Sequence, residues 1–145
     1  MSTDLAALYS ARLLALAADI PHLGRLDSPD ATVRERAPLC GSTVTVDVSA
    51  QDGRITDFAQ DVKACALGQA AAAVVGANAI GRSVEDLTKA VGEFKAFLKD
   101  EGPVPSAPFE AFEALLPARD YKNRHASILL SLTATQKALL ETQSS

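Results

Sequence analysis

Gln51-Asp52-Gly53-Arg54 most constrains the fold. An Asp-Gly pair accepts the left-handed backbone of a tight hairpin turn, and it sits between two β-rich runs. On one side, Thr43 to Val48 places Val44, Val46 and Val48 on a single face, the period of a half-buried strand. On the other, Ile55, Phe58 and Val62 alternate imperfectly, which predicts a bulge or added twist in the returning strand. The chain's only two cysteines, Cys40 and Cys65, bracket this hairpin. Closing it brings its outer ends together, so a separation of 25 residues in sequence becomes a candidate two-sulfur site.

Helices flank the hairpin. Residues 4–19 carry an apolar face of Leu5, Leu8, Tyr9, Ala11, Leu13 and Leu16, with Ser2 or Thr3 as cap and Pro21 and Gly24 as stop. Residues 20–37 are polar, with a turn at Asp27-Ser28-Pro29-Asp30 and a short edge segment from Val33 to Ala37. Cys65 to Ile80 is nearly all Ala, Val and Leu and reads as a packed central helix. Gly68 and Gly76 would let neighbouring backbone approach it closely. Ser83 caps a helix with acids in its first turn, expected to run to about Ala90, with another from Val91 to Lys99. Residues 102–108 form a rigid Pro-rich loop. Phe109 to Leu116 is a short helix ended by Pro117, and Ala126 to Thr142 is a terminal amphipathic helix. The expectation is one domain over residues 1–145, of class α+β, with a small antiparallel sheet packed against several helices.

Charge and hydropathy narrow the function classes. A net charge of −4 argues against non-specific nucleic-acid binding. No apolar run reaches the roughly 18–20 residues that span a bilayer. The N-terminus has an acid at Asp4 and lacks the pattern of a secretory signal. The expected setting is cytoplasmic, where two cysteines serve metal or redox chemistry, or none, more often than a structural disulfide.

Three side chains are candidate ligands: Cys40 before the first hairpin strand, Cys65 at the start of the Ala-rich helix, and His125 at the start of the last helix. A helix N-terminus presents unpaired N–H groups and partial positive charge, a setting that favours metal-binding thiolates and neutral imidazoles. Each residue also has a plainer reading. A cysteine is often a small buried apolar residue, and a histidine here can be a surface or capping group. His22 is given no role, and Lys122-Asn123-Arg124 reads as a solvated face. There is no Gly-rich phosphate loop and no nucleophile–His–acid arrangement.

Five segments in register change the weight of these candidates. Tyr9-Ser10 through Pro21-His22-Leu23-Gly24, Ala37-Pro38-Leu39-Cys40-Gly41-Ser42, Ala64-Cys65-Ala66, Gly81-Arg82-Ser83-Val84-Glu85-Asp86 and Arg124-His125-Ala126-Ser127-Ile128-Leu129 resemble, in order, motifs of one family. It is the iron–sulfur cluster assembly scaffold family of the IscU, NifU N-terminal and SufU type. The region around 91–118 is similar to the longer loop of its SufU branch. The resemblance implies a scaffold that binds iron or a labile [2Fe–2S] cluster through Cys40, Cys65 and His125 and hands it to apo acceptor proteins. A cysteine desulfurase would supply the sulfur. Two departures stand out: Ser42 occupies the position of the family's Asp, and Ala126 that of its third cysteine. The set would then be completed by solvent, Asp61 or a partner, including a homodimer that shares one cluster. The alternatives are a zinc site that accepts sulfur from a desulfurase, an adaptor that keeps the fold without metal, and a Cys40–Cys65 redox switch.

Overall fold

The computed structural model describes residues 10–38 and 41–143. Its elements run α1 (Ala11–Ala18), β1 (Ala31–Arg36), β2 (Thr43–Gln51), β3 (Arg54–Lys63), α2 (Ala66–Asn78), α3 (Val84–Lys99), a 3-10 stretch (Glu110–Asp120), a short 3-10 turn (Lys122–Arg124) and α4 (His125–Gln143). The three strands form one antiparallel sheet in the order β1-β2-β3, so the fold is α+β as expected. No helix of the described residues is long and apolar enough to cross a membrane.

The hairpin forms as its sequence dictates. Asp52 and Gly53 both adopt positive φ, 56° and 79°, the backbone a tight two-residue turn requires. The expected bulge is present. Ser49 faces Asp57 while Ala50 faces Ile55, so Thr56 is the extra residue on β3. It restores alternation beyond the break and puts Ile55 and Phe58 both into the core. Val44, Val46 and Val48 share that inner face with Ala31 and Val33 of the edge strand β1.

Two helices fill the core above the sheet. Almost every residue of α2 from Leu67 to Gly76 is buried. Its small side chains let α4 lie close beside it. Here an alanine-rich surface brings backbones together where leucines would hold them apart. Helix α4 buries Ile128, Leu129, Leu130, Leu132, Ala134, Ala138 and Leu139, contacting β1, β2, α2 and α3. A file of hydroxyls runs through this apolar surround. Ser127, Ser131 and Thr135 are all buried at four-residue spacing. Ser131 donates to Gln60 Oε1 at 2.8 Å, Gln60 Nε2 donates to the Ala72 carbonyl at 2.9 Å, and Thr135 donates to the Ser131 carbonyl. Each polar group finds a partner, as burial demands.

Four boundaries differ from expectation. Ser10 is extended and caps α1 by accepting a hydrogen bond from Leu13 N, so the helix starts at Ala11; residues 4–9 lie outside the described residues. The pair of helices expected from Ser83 to Lys99 is one. A capping box joins Ser83 and Asp86, and Leu87, Ala90, Val91, Phe94, Phe97 and Leu98 continue a single buried stripe past Gly92. That stripe outweighs the roughly 1 kcal/mol that glycine costs a helix. Pro117 does not end the next element, because a 3-10 stretch carries through it to Asp120. Finally, β1 begins at Ala31, two residues earlier than the pattern suggested. The 3-10 stretch is held by aromatic stacking: Phe112 lies on Phe94 with ring centroids 3.7 Å apart.

The loop after α1 is bound to the sheet's outer face by Asp47, whose side chain is fully buried. Its carboxylate accepts from Arg25 Nε (2.6 Å) and Nη2 (3.1 Å), Leu26 N (3.0 Å) and Thr32 Oγ1 (2.6 Å). Burial pushes the carboxyl upward. The hydrogen bonds and the Arg25 charge outweigh that and hold it below the usual carboxylate range.

Candidate functional site

Two connections meet at one end of the sheet. The first joins β1 to β2 and closes on itself: Ala37 N donates to the Ser42 carbonyl at 2.8 Å and Gly41 N to the Ala37 carbonyl at 3.0 Å. Gly41 takes φ of 71°, a conformation that favours glycine. Cys40 belongs to this connection, but Leu39 and Cys40 lie outside the described residues, so their geometry forms no part of the site described here. The second joins β3 to α2 and carries Cys65. Thr43 and Lys63 are directly opposed in the β2–β3 ladder, so the two connections leave the sheet side by side. The hairpin therefore does what its sequence implies for the backbone.

Cys65 is the N-cap of α2, extended at φ −68° and ψ 172°, and its side chain makes no capping hydrogen bond. The thiol is half-buried and points instead to Ser127 Oγ, 3.9 Å away. Ser127 Oγ in turn donates to Ser42 Oγ at 2.8 Å, with both hydroxyls buried. Because Ser127 gives its one proton to Ser42, the Cys65 contact is served by the S–H. Rotating the hydroxyls reverses the direction and lets Ser127 donate to a thiolate. The Cys65–Ser127–Ser42 chain thus suits either state of the sulfur, and it joins the ends of both connections to the first turn of α4.

In the sequence Ser127 stands out only as part of the Arg124–Leu129 segment, and its bridging role was missed. The signal was present in the four-residue recurrence of Ser127, Ser131 and Thr135 on an otherwise apolar helix. Ala126, between His125 and Ser127, is exposed. The position that carries the third cysteine in the family pattern is therefore on the solvent side of α4, while Ser127 faces the interior.

The close packing around Ser127 depends on Gly68. A Cβ at that position would stand 2.8 Å from Ala64 Cβ, 2.9 Å from Ser127 Oγ and 3.3 Å from the Ser127 carbonyl oxygen. The expected close approach at Gly76 is also present, where a Cβ would meet the Pro21 carbonyl at 2.7 Å. A Gly68→Ala variant is expected to lose about 1–3 kcal/mol of stability, the usual cost of overpacking, because backbone as well as side chain must give way. Chemical denaturation would measure this; an unchanged midpoint would mean that the helices separate freely here.

His125 opens α4 and is buried. Its Nε2 lies 3.1 Å from both the Ala118 and Arg119 carbonyl oxygens. Carbonyls only accept, so Nε2 carries a proton. Among the described residues Nδ1 has no hydrogen-bond partner. A ring held through one N–H to backbone carbonyls is the arrangement that orients a ligating histidine, and it also serves a purely structural one. The carbonyls are themselves fixed. The Arg119 side chain lies over the Phe97 ring, donates to the Phe97 carbonyl at 2.6 Å and makes a short hydrogen bond to the Gly102 carbonyl. Those carbonyls lie in and just beyond the last turn of α3, where a cation is favoured.

Asp61 is exposed on the outer face of the sheet, opposite Thr45. Among the described residues, no three His, Cys, Asp or Glu side chains are placed to hold a metal ion together. Cys65, His125 and Asp61 alone do not make a centre; a centre here needs a ligand from the 39–40 segment or from outside the chain.

No family model and no curated protein matches this chain. Solved structures do. A nitrogen-fixing NifU-like protein (N-terminal) from Brucella abortus superimposes with a TM-score of 0.93, at 40% sequence identity over 97% of both chains. The chain belongs to the IscU/NifU/SufU family. An iron–sulfur cluster assembly scaffold protein of the SUF system from Fervidobacterium islandicum AW-1 has a TM-score of 0.81 at 16% identity, covering 94% of this chain and 99% of that one. A hypothetical protein gives 0.77 at 24% identity, with 93% and 98% covered. The last two likenesses speak for the fold alone.

Proposed function

We propose that this protein is an iron–sulfur cluster assembly scaffold that binds iron or a labile [2Fe–2S] cluster as cargo and passes it to apo acceptors. The observation that carries the reading is the 40% identity, over 97% of both chains, to the NifU-like protein. The site chemistry agrees with it. Cys65 offers a thiol that does not cap its helix, and His125 offers an Nδ1 whose opposite ring nitrogen is already anchored. Cys40 is assigned as the other thiolate. Fe–S clusters are held mainly by cysteine thiolates, with histidine able to replace some of them. Three protein ligands leave coordination positions for solvent, a partner or a second protomer. An incomplete set favours release, which suits transfer better than storage. In this reading a cysteine desulfurase supplies the sulfur, and the protein turns over no small substrate of its own.

Anaerobic reconstitution with ferrous iron and sulfide tests the proposal. The expected result is a sulfide-to-iron charge-transfer spectrum, with iron and acid-labile sulfide in equal amounts. Stoichiometric zinc in the purified protein, unmoved by iron, would favour the zinc sulfur-acceptor reading. No metal under any condition, together with partner binding unaffected by Cys40→Ser and Cys65→Ser, would leave an adaptor.

A further inference from the structure

The outer face of the sheet carries cations that the rest of the described chain does not neutralise. The strand register puts Arg36, Thr43 and Lys63 in one cross-strand row and Arg34, Thr45 and Asp61 in the next. Neighbouring strands lie roughly 4.8 Å apart and same-face residues along a strand roughly 6.8 Å apart, so these rows form one compact field. Arg34, Arg36 and Lys63 are exposed, and among the described residues none has an ion-pair or hydrogen-bond partner. Arg25 borders the same face, but its charge is matched by Asp47. That leaves three cations against one carboxylate, Asp61, in a chain whose net charge is −4. Like charges are thus gathered on one face against the general trend of the molecule. A shallow hollow of about 410 Å³ opens there, bordered by Arg25, Arg34, Thr43, Thr45, Asp61 and Lys63.

We propose that this face docks an extended acidic segment of a partner protein. The cations are spread over three strands, and the hollow is open. That layout matches carboxylates distributed along a peptide better than one small anion in an enclosed pocket. The threonines between the cations offer hydroxyl donors to the same carboxylates. The two rows hold no aromatic side chain on which a base could stack, which disfavours a single-stranded nucleic acid. The first nine residues of this chain contain one acid, Asp4, and do not have the complementary charge. Arg36, Thr43 and Lys63 flank the connections that carry Cys40 and Cys65, so a segment bound here would bring its owner to that end of the sheet. The value of that placement rests on the scaffold reading; the electrostatic complementarity does not.

Fluorescein-labelled hexaglutamate, followed by fluorescence anisotropy at low ionic strength, tests the proposal. Wild type is expected to bind it with an affinity that falls as salt is added. Arg34→Glu/Lys63→Glu should weaken binding at least about tenfold and Arg34→Gln/Lys63→Gln less, since reversal adds repulsion to the lost attraction. Lys95→Glu/Lys99→Glu, on exposed positions of α3, makes the same net-charge change and should leave binding within about twofold. Equal losses in the two reversed pairs would overturn the proposal, since the effect would then be one of overall charge. Tighter binding of a single-stranded oligonucleotide of equal charge, through the same residues, would also overturn it. So would a self-association that Arg34→Glu/Lys63→Glu abolishes, which would assign the face to a second copy. Reconstitution of wild type beside the binding assay separates the two readings: a wild-type protein that loads iron and sulfide but does not bind the peptide overturns only the docking face, and one that binds the peptide but does not load overturns only the scaffold function.

Discussion

An Asp47→Ala variant is expected to lose about 2–4 kcal/mol of stability at neutral pH, the range for removing a buried acceptor that satisfies several donors. The alanine leaves Leu26 N and Thr32 Oγ1 without their acceptor and releases the Arg25 guanidinium. Arg25 itself is half-exposed and recovers water, so the cost falls on the two less mobile donors. The loss should depend on pH in a defined direction. The folded state holds the Asp47 carboxyl below its ordinary value, so the unfolded chain takes up its proton first as pH falls. The stabilisation is fully present above an ordinary aspartate value of about 3.9 and disappears as pH drops below it through the folded value. Asp86 and Glu93 are shifted in the same direction, chiefly by hydrogen bonds from the backbone N–H groups of Ser83 and Ser106. Acid unfolding of wild type alone therefore mixes several groups. The difference between wild type and Asp47→Ala, measured by urea denaturation at a series of pH values, isolates the one. It should be constant from pH 7 to about 5 and shrink below about pH 4. A difference that stays constant into strong acid would show that Asp47 acts through packing alone.

Asp47 also shows what kind of information the sequence withheld. It occupies a strand position that alternates with buried valines, so period-two patterning reads it as a solvent-facing side chain. It faces outward, yet it is buried because the loop after α1 folds over it. Nothing local to β2 encodes that loop's path. The elements that were legible depend on local chemistry. The Asp-Gly turn needs only its own two residues, the Thr56 bulge follows from the broken spacing of Ile55 and Phe58, and the close helix contact follows from Gly68 and Gly76 in an alanine surface. The misplaced boundaries depend on tertiary context. The split expected between Ala90 and Val91 overlooked a buried stripe that runs through both. The 3-10 stretch through Pro117 is held by Phe112 on Phe94 and by Arg119 on the end of α3, contacts between segments that no window of sequence spans. At the site, sequence named residues and the fold supplied their relations. Cys65 was placed correctly at a helix start; its link through Ser127 to Ser42 requires β2, α2 and α4 to be assembled.

His125 has a structural duty and a proposed ligating one, and two substitutions separate them. His125→Ala removes both ring nitrogens. It should lose about 1–3 kcal/mol, because the Ala118 and Arg119 carbonyls forfeit their donor, and it should fail to retain reconstituted iron and sulfide. His125→Gln places an amide N–H₂ near the position of Nε2 and nothing at that of Nδ1. It should keep the carbonyl contacts, remain within about 1 kcal/mol of wild type in denaturation, and still lose the charge-transfer spectrum. A glutamine variant that folds and loads normally would return His125 to a purely structural role. Cys65→Ala sets the lower limit of the comparison, since it deletes the one described thiol and should abolish loading while leaving the Ser127–Ser42 hydrogen bond. Ala126→Cys tests the upper limit. Position 126 is exposed in the first turn of α4, so a thiol there adds a ligand without displacing a packed group. If the set is short of one thiolate, that variant should hold its cluster against a chelator for several times longer than wild type, at the expense of transfer to an apo acceptor. Equal retention in the two proteins would mean that the missing ligand is supplied elsewhere, by solvent, by a partner or by a second copy of the chain.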